Sequence, residues 1–395
     1  MSTTLETRPR RVFAALAAIF VAFAAAAAAP SPLYVVYQQQ WGFSAGTLTA
    51  VFAVYVAGMV AALLVLGGLS DHIGRRPVLA AAIVLEAVAM MLFITAGGVA
   101  VLLLARVLQG IATGMALTTL GAALVDLDPP HARGRAGLIN GIAPVAGLAV
   151  GALGCGVLVE FAPQPTHLVY AVLLLGMAAA AVVVARMPET AARRPGGAAS
   201  LVPRLGVPAR LRADVFALVP IIVASWALGG LYLSLGPSVA AGVFGLHDHL
   251  IGGLVVTLLC GTGAITTYVL RRRPTERVLA VAATFLAAGT AVSVAGVQLG
   301  GAVLAGAGTV ISGVGFGAAA LASFGTLSRL AAPHERGELL AVALVIAYAA
   351  FSVPAVLAGL ASGAVGLHAT ALAYGAVVVA LAGAALISRR ARSSE

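Results

Sequence analysis

Gly67-Gly68-Leu69-Ser70-Asp71-His72-Ile73-Gly74-Arg75-Arg76-Pro77 separates two long apolar runs, residues 45–66 and 78–96. An acid, a histidine and two arginines fall within one short turn of a chain that is only 9% charged. The runs on either side are each about 20 residues long, the length a helix needs to cross the hydrocarbon of a bilayer. Similar runs recur along the 395 residues, of which 61% are hydrophobic. Ordinary soluble domains hold about 45–50% apolar and about 25% charged residues, so this surface is too poor in charge for water. Long Ala/Leu/Val/Gly blocks also exclude a membrane barrel, whose strands are short and alternate in polarity. The chain therefore reads as an all-α, multi-pass membrane protein.

The net charge of +10 does not mark a nucleic-acid surface, because the basic residues form no single patch. All 23 are arginines. They lie at 8, 10 and 11; 75 and 76; 133 and 135; 186, 193, 194, 204, 210 and 212; 271, 272, 273 and 277; 329 and 336; and 389, 390 and 392, with Arg106 apart from the rest. Apart from Arg106, each sits at a chain end or in every second loop between apolar runs. The positive-inside rule then places both termini in the cytoplasm and requires an even number of spans. An Ala-rich run after Arg8, Arg10 and Arg11 resembles a secretory signal, but it continues to about Tyr37 and its loss would leave an odd span count, so it reads as the first span. Cys155 and Cys260 lie in apolar runs and imply no disulfide framework.

Twelve spans are expected, at 12–37, 45–69, 77–96, 99–125, 135–161 and 167–186, then 213–241, 249–270, 277–296, 300–327, 337–363 and 367–388. Residues 187–212, rich in Pro, Gly and Arg, read as a cytoplasmic linker between six-helix bundles at 1–186 and 213–395. The halves are duplicates. At an offset of 203, Gly110-Ile111-Ala112-Thr113-Gly114 aligns with Gly313-Val314-Gly315-Phe316-Gly317. At the same offset Pro130-His131-Ala132-Arg133-Gly134 aligns with Pro333-His334-Glu335-Arg336-Gly337. Internal repeats of this kind in secondary transporters place the substrate site between the repeats near mid-membrane.

Six plus six helices, a central linker and the opening stretch together resemble the major facilitator superfamily. Its signature loop, G-x-x-x-D-x-x-G-R-R/K, is matched by Gly67, Asp71, Gly74, Arg75 and Arg76, and its fourth-helix R-x-x-x-G by Arg106 and Gly110. Its drug exporters carry G-x-x-x-G-P-x-x-G-G on the fifth helix. Here Gly141, Pro144 and Gly147 are followed by Gly151 and Gly154, with Ala143 and Leu148 where that pattern has glycine. The resemblance implies that Asp71 meets the start of the eleventh helix near Gly337 as a gate, held by Arg75 and strengthened by the helix dipole. Arg75 and Arg76 equally serve as topology-setting charges. The counterpart loop in the second half, 271–277, has lost the glycines and the matching acid, so the gate is expected to be asymmetric.

Arg106 lies within a span, where a cation costs at least about 2.5–3.5 kcal/mol unless it is paired or faces water. The acid found deep in a span is Glu86. Counting about 1.5 Å per residue from opposite faces of a roughly 30 Å core places the two within roughly 6 Å of one depth. They could pair, with Glu86 as proton carrier; a neutral glutamate bonded to a neighbour is the alternative. Asp126 and Asp128 close the fourth span within reach of Arg133 and Arg135, and the loop histidines show no metal-ligand spacing.

Polar and aromatic residues expected on the cavity helices are Tyr34, Tyr37, Gln38, Tyr55, Thr113, Asn140, Trp226, Tyr232, Phe316 and Tyr348. Each alone is more often a packing residue than a ligand. Together they describe an aromatic cavity with few charges, suited to neutral or amphipathic compounds. Gly110, Gly141, Gly147 and Gly151 suit close helix packing and Pro144 a bend. The expected activity is proton-driven export of small compounds by alternating access, without catalysis, bound cofactor or metal, the proton gradient supplying the energy. No nucleotide-binding loop is present in the sequence. The expected partners are substrate, protons and membrane lipid, with no nucleic acid, for a monomer in a bacterial inner membrane. An importer or facilitator of a sugar or organic acid, and a non-transporting sensor of the same fold, are the alternatives.

Overall fold

The computed structural model describes residues 3–128, 134–203, 205–332 and 335–393, with side chains from residue 10 to residue 387. Backbone N–H and C=O groups find no water in hydrocarbon, so each apolar run closes its own hydrogen bonds as a helix. The first half contains α1 (Thr3–Ala28), α2 (Pro30–Trp41), α3 (Ala45–Leu66), α4 (Ser70–Ile73), α5 (Arg75–Ile94), α6 (Val99–Asp126), α7 (Arg135–Phe161) and α8 (Pro165–Arg186). The second contains α9 (Arg212–Ser234), α10 (Gly236–Phe244), α11 (His249–Leu270), α12 (Thr275–Gln298), α13 (Ala302–Leu330), α14 (Arg336–Val365) and α15 (Leu367–Ser393). Among the described residues no strand occurs and twelve helices or bent helix pairs are long and apolar enough to span a membrane. The twelve-helix all-α architecture matches the reading of the sequence.

Two spans are broken where the sequence removes backbone donors. Pro30 and Pro32 have no N–H to give to the carbonyls of Ala26 and Ala28, and the first span is divided into α1 and α2 there. In the second half the chain leaves α9 at Leu235 and restarts at Gly236-Pro237 as α10. The opened turn before Pro30 matters for the buried site below.

Packing divides the chain into two compact units. One comprises Met1–Ala29, Val54–Gly151 and Phe161–Pro203; the other comprises Pro30–Ala53, Ala152–Glu160 and Arg204–Glu395. The duplication divides the chain by sequence, whereas these units follow packing and cut across it. The core of the first unit is aliphatic and aromatic, with Leu16, Phe20, Phe23, Leu79, Leu120 and Met177 buried together. In the second, α2 is tied to α9 by the Ser31 hydroxyl donating to the Leu233 carbonyl at 2.5 Å. There the Phe52 ring also lies 5.1 Å from that of Phe351.

The repeated glycine motif has the same job in both halves. A Cβ on Gly110 would lie 2.1 Å from the Tyr55 carbonyl oxygen, and one on Gly114 2.6 Å from that of Met59. A Cβ on Gly313 would lie 2.8 Å from the Leu259 carbonyl oxygen, and one on Gly317 2.1 Å from that of Gly263. In each half the fourth span thus presses its backbone against the second, an approach that any side chain would block. The second repeated stretch falls partly on Pro130–Arg133 and on Pro333 and His334, which lie outside the described residues.

Candidate functional site

The stretch 67–77 folds as a tight turn around Arg75. Gly74 has φ +104°, a backbone geometry that side chains disfavour. The turn carries Arg75, which is 7% exposed, back under α4. Its Nη1 donates to Asp71 Oδ1 at 2.5 Å and to Ser70 Oγ at 2.7 Å, and its Nε donates to Asp126 Oδ2 at 3.1 Å. One guanidinium therefore ties α4, the start of α5 and the end of α6 together, using donors that a lysine cannot place. Asp71 is the exposed arm of this node, its side chain 56% accessible.

A residue that sequence reading passes over completes the node. Glu189, just past α8, accepts from the backbone N–H of Arg75 at 2.7 Å and of Arg76 at 3.1 Å. It thereby satisfies two of the donors left open at the start of α5. Partial burial acts to raise the Glu189 carboxyl, but the N–H groups of Ala191, Arg75, Arg76 and Thr190 outweigh it and hold the group below its ordinary value. A Cβ on Gly74 would come within 2.6 Å of this carboxylate, a second reason for glycine there. Nothing local in the sequence marks Glu189 as a cap on α5, because Arg75 and Arg76 lie more than a hundred residues away.

Asp126 takes Arg75 and the Thr190 hydroxyl, at 3.1 and 3.2 Å. Neither contact is with Arg135, and Arg133 lies outside the described residues. Asp128 instead accepts from the backbone N–H groups of Gly134 and Ala136, at 2.8 and 3.2 Å, as a cap on α7. Helix starts offer unpaired N–H groups at fixed positions, whereas exposed arginines lose side-chain entropy when they pair, so the backbone wins.

Deeper in the first unit, Glu86 of α5 is fully buried and Arg106 of α6 is 1% exposed. They are linked through Gln109, itself fully buried. Arg106 Nη1 donates to Gln109 Oε1 at 2.5 Å, and Gln109 Nε2 donates to Glu86 Oε1 at 3.1 Å. The remaining donors reach the opened turn of the first span: Gln109 Nε2 to the Ala26 carbonyl at 3.0 Å and Arg106 Nη1 to the Ala27 carbonyl at 3.3 Å. The Ala26 carbonyl is free because Pro30 has no N–H to give it. The guanidinium lies over the Tyr55 ring, 4.1 Å from its centroid, which returns further attraction for a desolvated cation. Glu86 Oε2 and Arg106 Nε have no hydrogen-bond partner among the described residues. The sequence signal for Gln109 was its i,i+3 spacing from Arg106.

In the second unit the aromatic residues converge. Trp226 stands edge-on to Tyr348, with centroids 4.7 Å apart, and to Phe351 at 5.8 Å and Phe324 at 6.3 Å. Phe316 is buried alongside, its ring 3.1 Å from where a Cβ on Gly229 would be.

A family model described as "Major Facilitator Superfamily" matches residues 14–355. The chain belongs to that superfamily. Multidrug resistance protein MdtL of Citrobacter koseri is 32% identical over 148 residues, 37% of this chain and 37% of that protein. MdtL of Klebsiella pneumoniae is 30% identical over 175 residues, 42% and 44% of the two chains. The match thus spans under half the length of these relatives. Among solved structures, an inward-facing bacterial homologue of the human lysosomal transporter Spinster superposes with TM-score 0.75 at 13% identity, over 97% of both chains. The Escherichia coli xylose transporter XylE, inward open, gives 0.74 at 13% identity over 95% of both. These likenesses show the fold of superfamily transporters.

The other candidate residues make contacts within their own units. Tyr34 and Tyr37 are buried in α2, Tyr37 stacked on Trp41 at 4.7 Å, and Gln38 Nε2 donates to the Phe43 carbonyl at 3.4 Å. Thr113 is buried on α6, the helix that carries Arg106 and Gln109, and Asn140 Nδ2 donates to the Gly121 carbonyl at 3.2 Å. Tyr232 bonds Thr309 at 2.8 Å, within its own bundle. On α7, Cβ atoms at Gly147 and Gly151 would strike the Val21 and Ala25 carbonyl oxygens at 2.6 and 2.1 Å, so these glycines seat α7 on α1. Pro144 lies inside α7, and Gly141 is exposed beside it. Gly337 stands in the first turn of α14. His249, the first residue of α11, pairs with Glu160 Oε2 through Nδ1 at 3.4 Å, and its backbone N–H donates to the same oxygen at 2.9 Å.

Proposed function

We propose that this superfamily transporter exports small neutral or amphipathic compounds in exchange for protons, by alternating access. The observation that carries the reading is the Glu86–Gln109–Arg106 cluster, an acid and a base buried in the first unit and bonded to the opened turn of the first span. A proton arriving at Glu86 Oε2 neutralises the acid. Its departure leaves a charge that Arg106 can compensate only through Gln109, because Arg106 donates to Gln109 and not to Glu86. Each change of protonation therefore alters the pull on α1, α3, α5 and α6 together, which is what coupling a proton to a helix movement requires. A cost of several kcal/mol for an intramembrane charge argues against keeping such a cluster without use.

The aromatic cluster of Trp226, Tyr348, Phe351 and Phe316, which offers apolar area and no charge, supports this substrate class. The names of the multidrug-resistance relatives support the export half of the reading. The Arg75 node serves as the gate latch in this cycle, with Asp71 as its movable carboxylate. We place the protein in a bacterial inner membrane with both termini cytoplasmic, as a monomer that needs no bound cofactor and is driven by the proton gradient.

The test is Glu86→Gln in proteoliposomes carrying a pH gradient. The amide keeps an oxygen to accept from Gln109 but cannot release a proton. Gradient-driven transport should vanish while exchange of substrate down its own gradient persists. Unimpaired gradient-driven transport by the variant would remove Glu86 as the carrier. Drug accumulation in cells with and without the gene, and with and without an uncoupler, tests the export itself; no change across a broad panel of compounds defeats it.

A further inference from the structure

The second unit holds a cavity of about 430 Å³ among α9, α10, α11, α12, α13 and α15, and none of the Glu86 cluster lines it. It lies toward the end whose loops carry no arginine, since α10 and the first turns of α11 and α13 help to line it. Leu231, Val255, Leu258 and Val294 form its walls, and no charged residue lines it. Val303 and Leu254 stand at its edge, 89% and 40% exposed, so the cavity opens sideways on the apolar flank of the bundle. Interiors pack to nearly crystalline density, and a void of this size left empty destabilises its walls in proportion to its volume. An apolar cavity of this kind stays dry and accepts apolar guests.

Four hydroxyl residues line the cavity; Thr290 turns to the Ser312 hydroxyl at 3.4 Å, and the other three form one cluster. Tyr232, Ser293 and Thr309 line it about six residues along α13 from the Val303 edge, or roughly 9 Å deeper at the helical rise. Ser293 and Thr309 both donate to the Ala305 carbonyl, at 3.2 and 2.9 Å. With the Thr309 proton on the Ala305 carbonyl, the Tyr232 hydroxyl is left to donate to Thr309 Oγ1 across 2.8 Å. With all three protons committed, the cluster has only lone pairs left to offer, and it calls for a ligand that donates. A charged head would find no counter-charge there.

We propose that this cavity is a binding site for a neutral lipophile carrying one O–H donor, such as a long-chain alcohol or an alkylphenol. Its hydroxyl donates to Tyr232 at the inner end, and its apolar body fills the cavity and leaves between Val303 and Leu254. The ligand reaches the site from the hydrocarbon of the membrane. Nothing in this depends on proton coupling or on export.

The experiment uses the full-length protein in lipid nanodiscs with no gradient. The probe is a diazirine-bearing dodecanol, compared with its methyl ether, which has the same shape and no donor. Photolabelling should fall on the segments 228–258 and 290–309, be displaced by unlabelled dodecanol, and favour the alcohol roughly three- to ten-fold, as one net hydrogen bond allows. Gly306 lines the cavity and faces open space, so Gly306→Trp should fill it and abolish labelling. Tyr232→Phe should keep the labelling but bring the alcohol-to-ether ratio close to one. That ratio alone carries the test if Gly306→Trp does not fold. Equal labelling by alcohol and ether in the wild type, or labelling that survives Gly306→Trp, overturns the proposal. A phospholipid that co-purifies at one per protein and is not displaced by dodecanol also overturns it, by making the occupant a resident acyl chain.

Discussion

Replacing Gln109 with leucine tests the buried cluster most directly, because leucine nearly keeps the shape and removes all the polarity. Three hydrogen bonds disappear: one from Arg106 and those to Glu86 and the Ala26 carbonyl. Hydrogen bonds between membrane helices average about 0.6 kcal/mol and reach about 1.7, so the three together contribute roughly 2–5 kcal/mol. The upper part of that range applies here, because the loss strands groups that have few substitutes. The Ala26 carbonyl has no donor from Pro30, and Arg106 keeps only the Ala27 carbonyl and the Tyr55 ring. One kcal/mol moves Tm by about 2–4 °C in domains of 150–250 residues and by less in longer chains, so a fall of roughly 3–10 °C is expected. Cys155 and Cys260 are both buried and free, which allows unfolding to be followed with a thiol-reactive fluorophore. Apparent Tm values are compared at one scan rate. Gln38→Leu is the control, since its bond to Phe43 is long and half-exposed, and it should change Tm by less than about 1 °C. A Gln109→Leu protein as stable as that control would refute the bridging role.

Other perturbations follow from the same geometry. Gly110→Leu places a side chain against the Tyr55 carbonyl and should force α6 from α3, abolishing transport and folded yield by size-exclusion chromatography, whereas Gly154→Leu meets nothing within 4 Å and should be tolerated. Arg75→Lys cannot hold Ser70, Asp71 and Asp126 at once, so transport rate should fall several-fold in proteoliposomes. Glu189 has a folded value below its ordinary one, so its cap on α5 is present at neutral pH and is lost as pH falls through that lowered value. Amide exchange at residues 75 and 76 should therefore be slower in wild type than in Glu189→Gln at neutral pH, and the two rates should converge in acid; equal rates at neutral pH would exclude the cap.

The sequence alone determined the solvent and the architecture. Apolar runs of bilayer length, arginines confined to alternate loops and a glycine motif repeated at one offset require twelve helices in two related sets, because hydrocarbon admits only closed hydrogen bonding and repeated close approach requires repeated glycine. The sequence also marked Asp71, Arg75, Glu86 and Arg106, since charges are conspicuous in so apolar a chain. Tertiary structure alone decided what those charges touch. Arg75 reaches Asp126 across 51 residues, and Glu189 reaches the start of α5 across 114. Glu86 meets Arg106 through Gln109 on a turn that Pro30 leaves open. Polar partners are chosen by the side chains and backbone donors that packing brings within hydrogen-bond reach, and no periodicity in the sequence records that proximity. The stretch 67–77 shows both sides. Its residues announce a charged turn, and the fold makes that turn a three-way clasp on α4, α5 and α6.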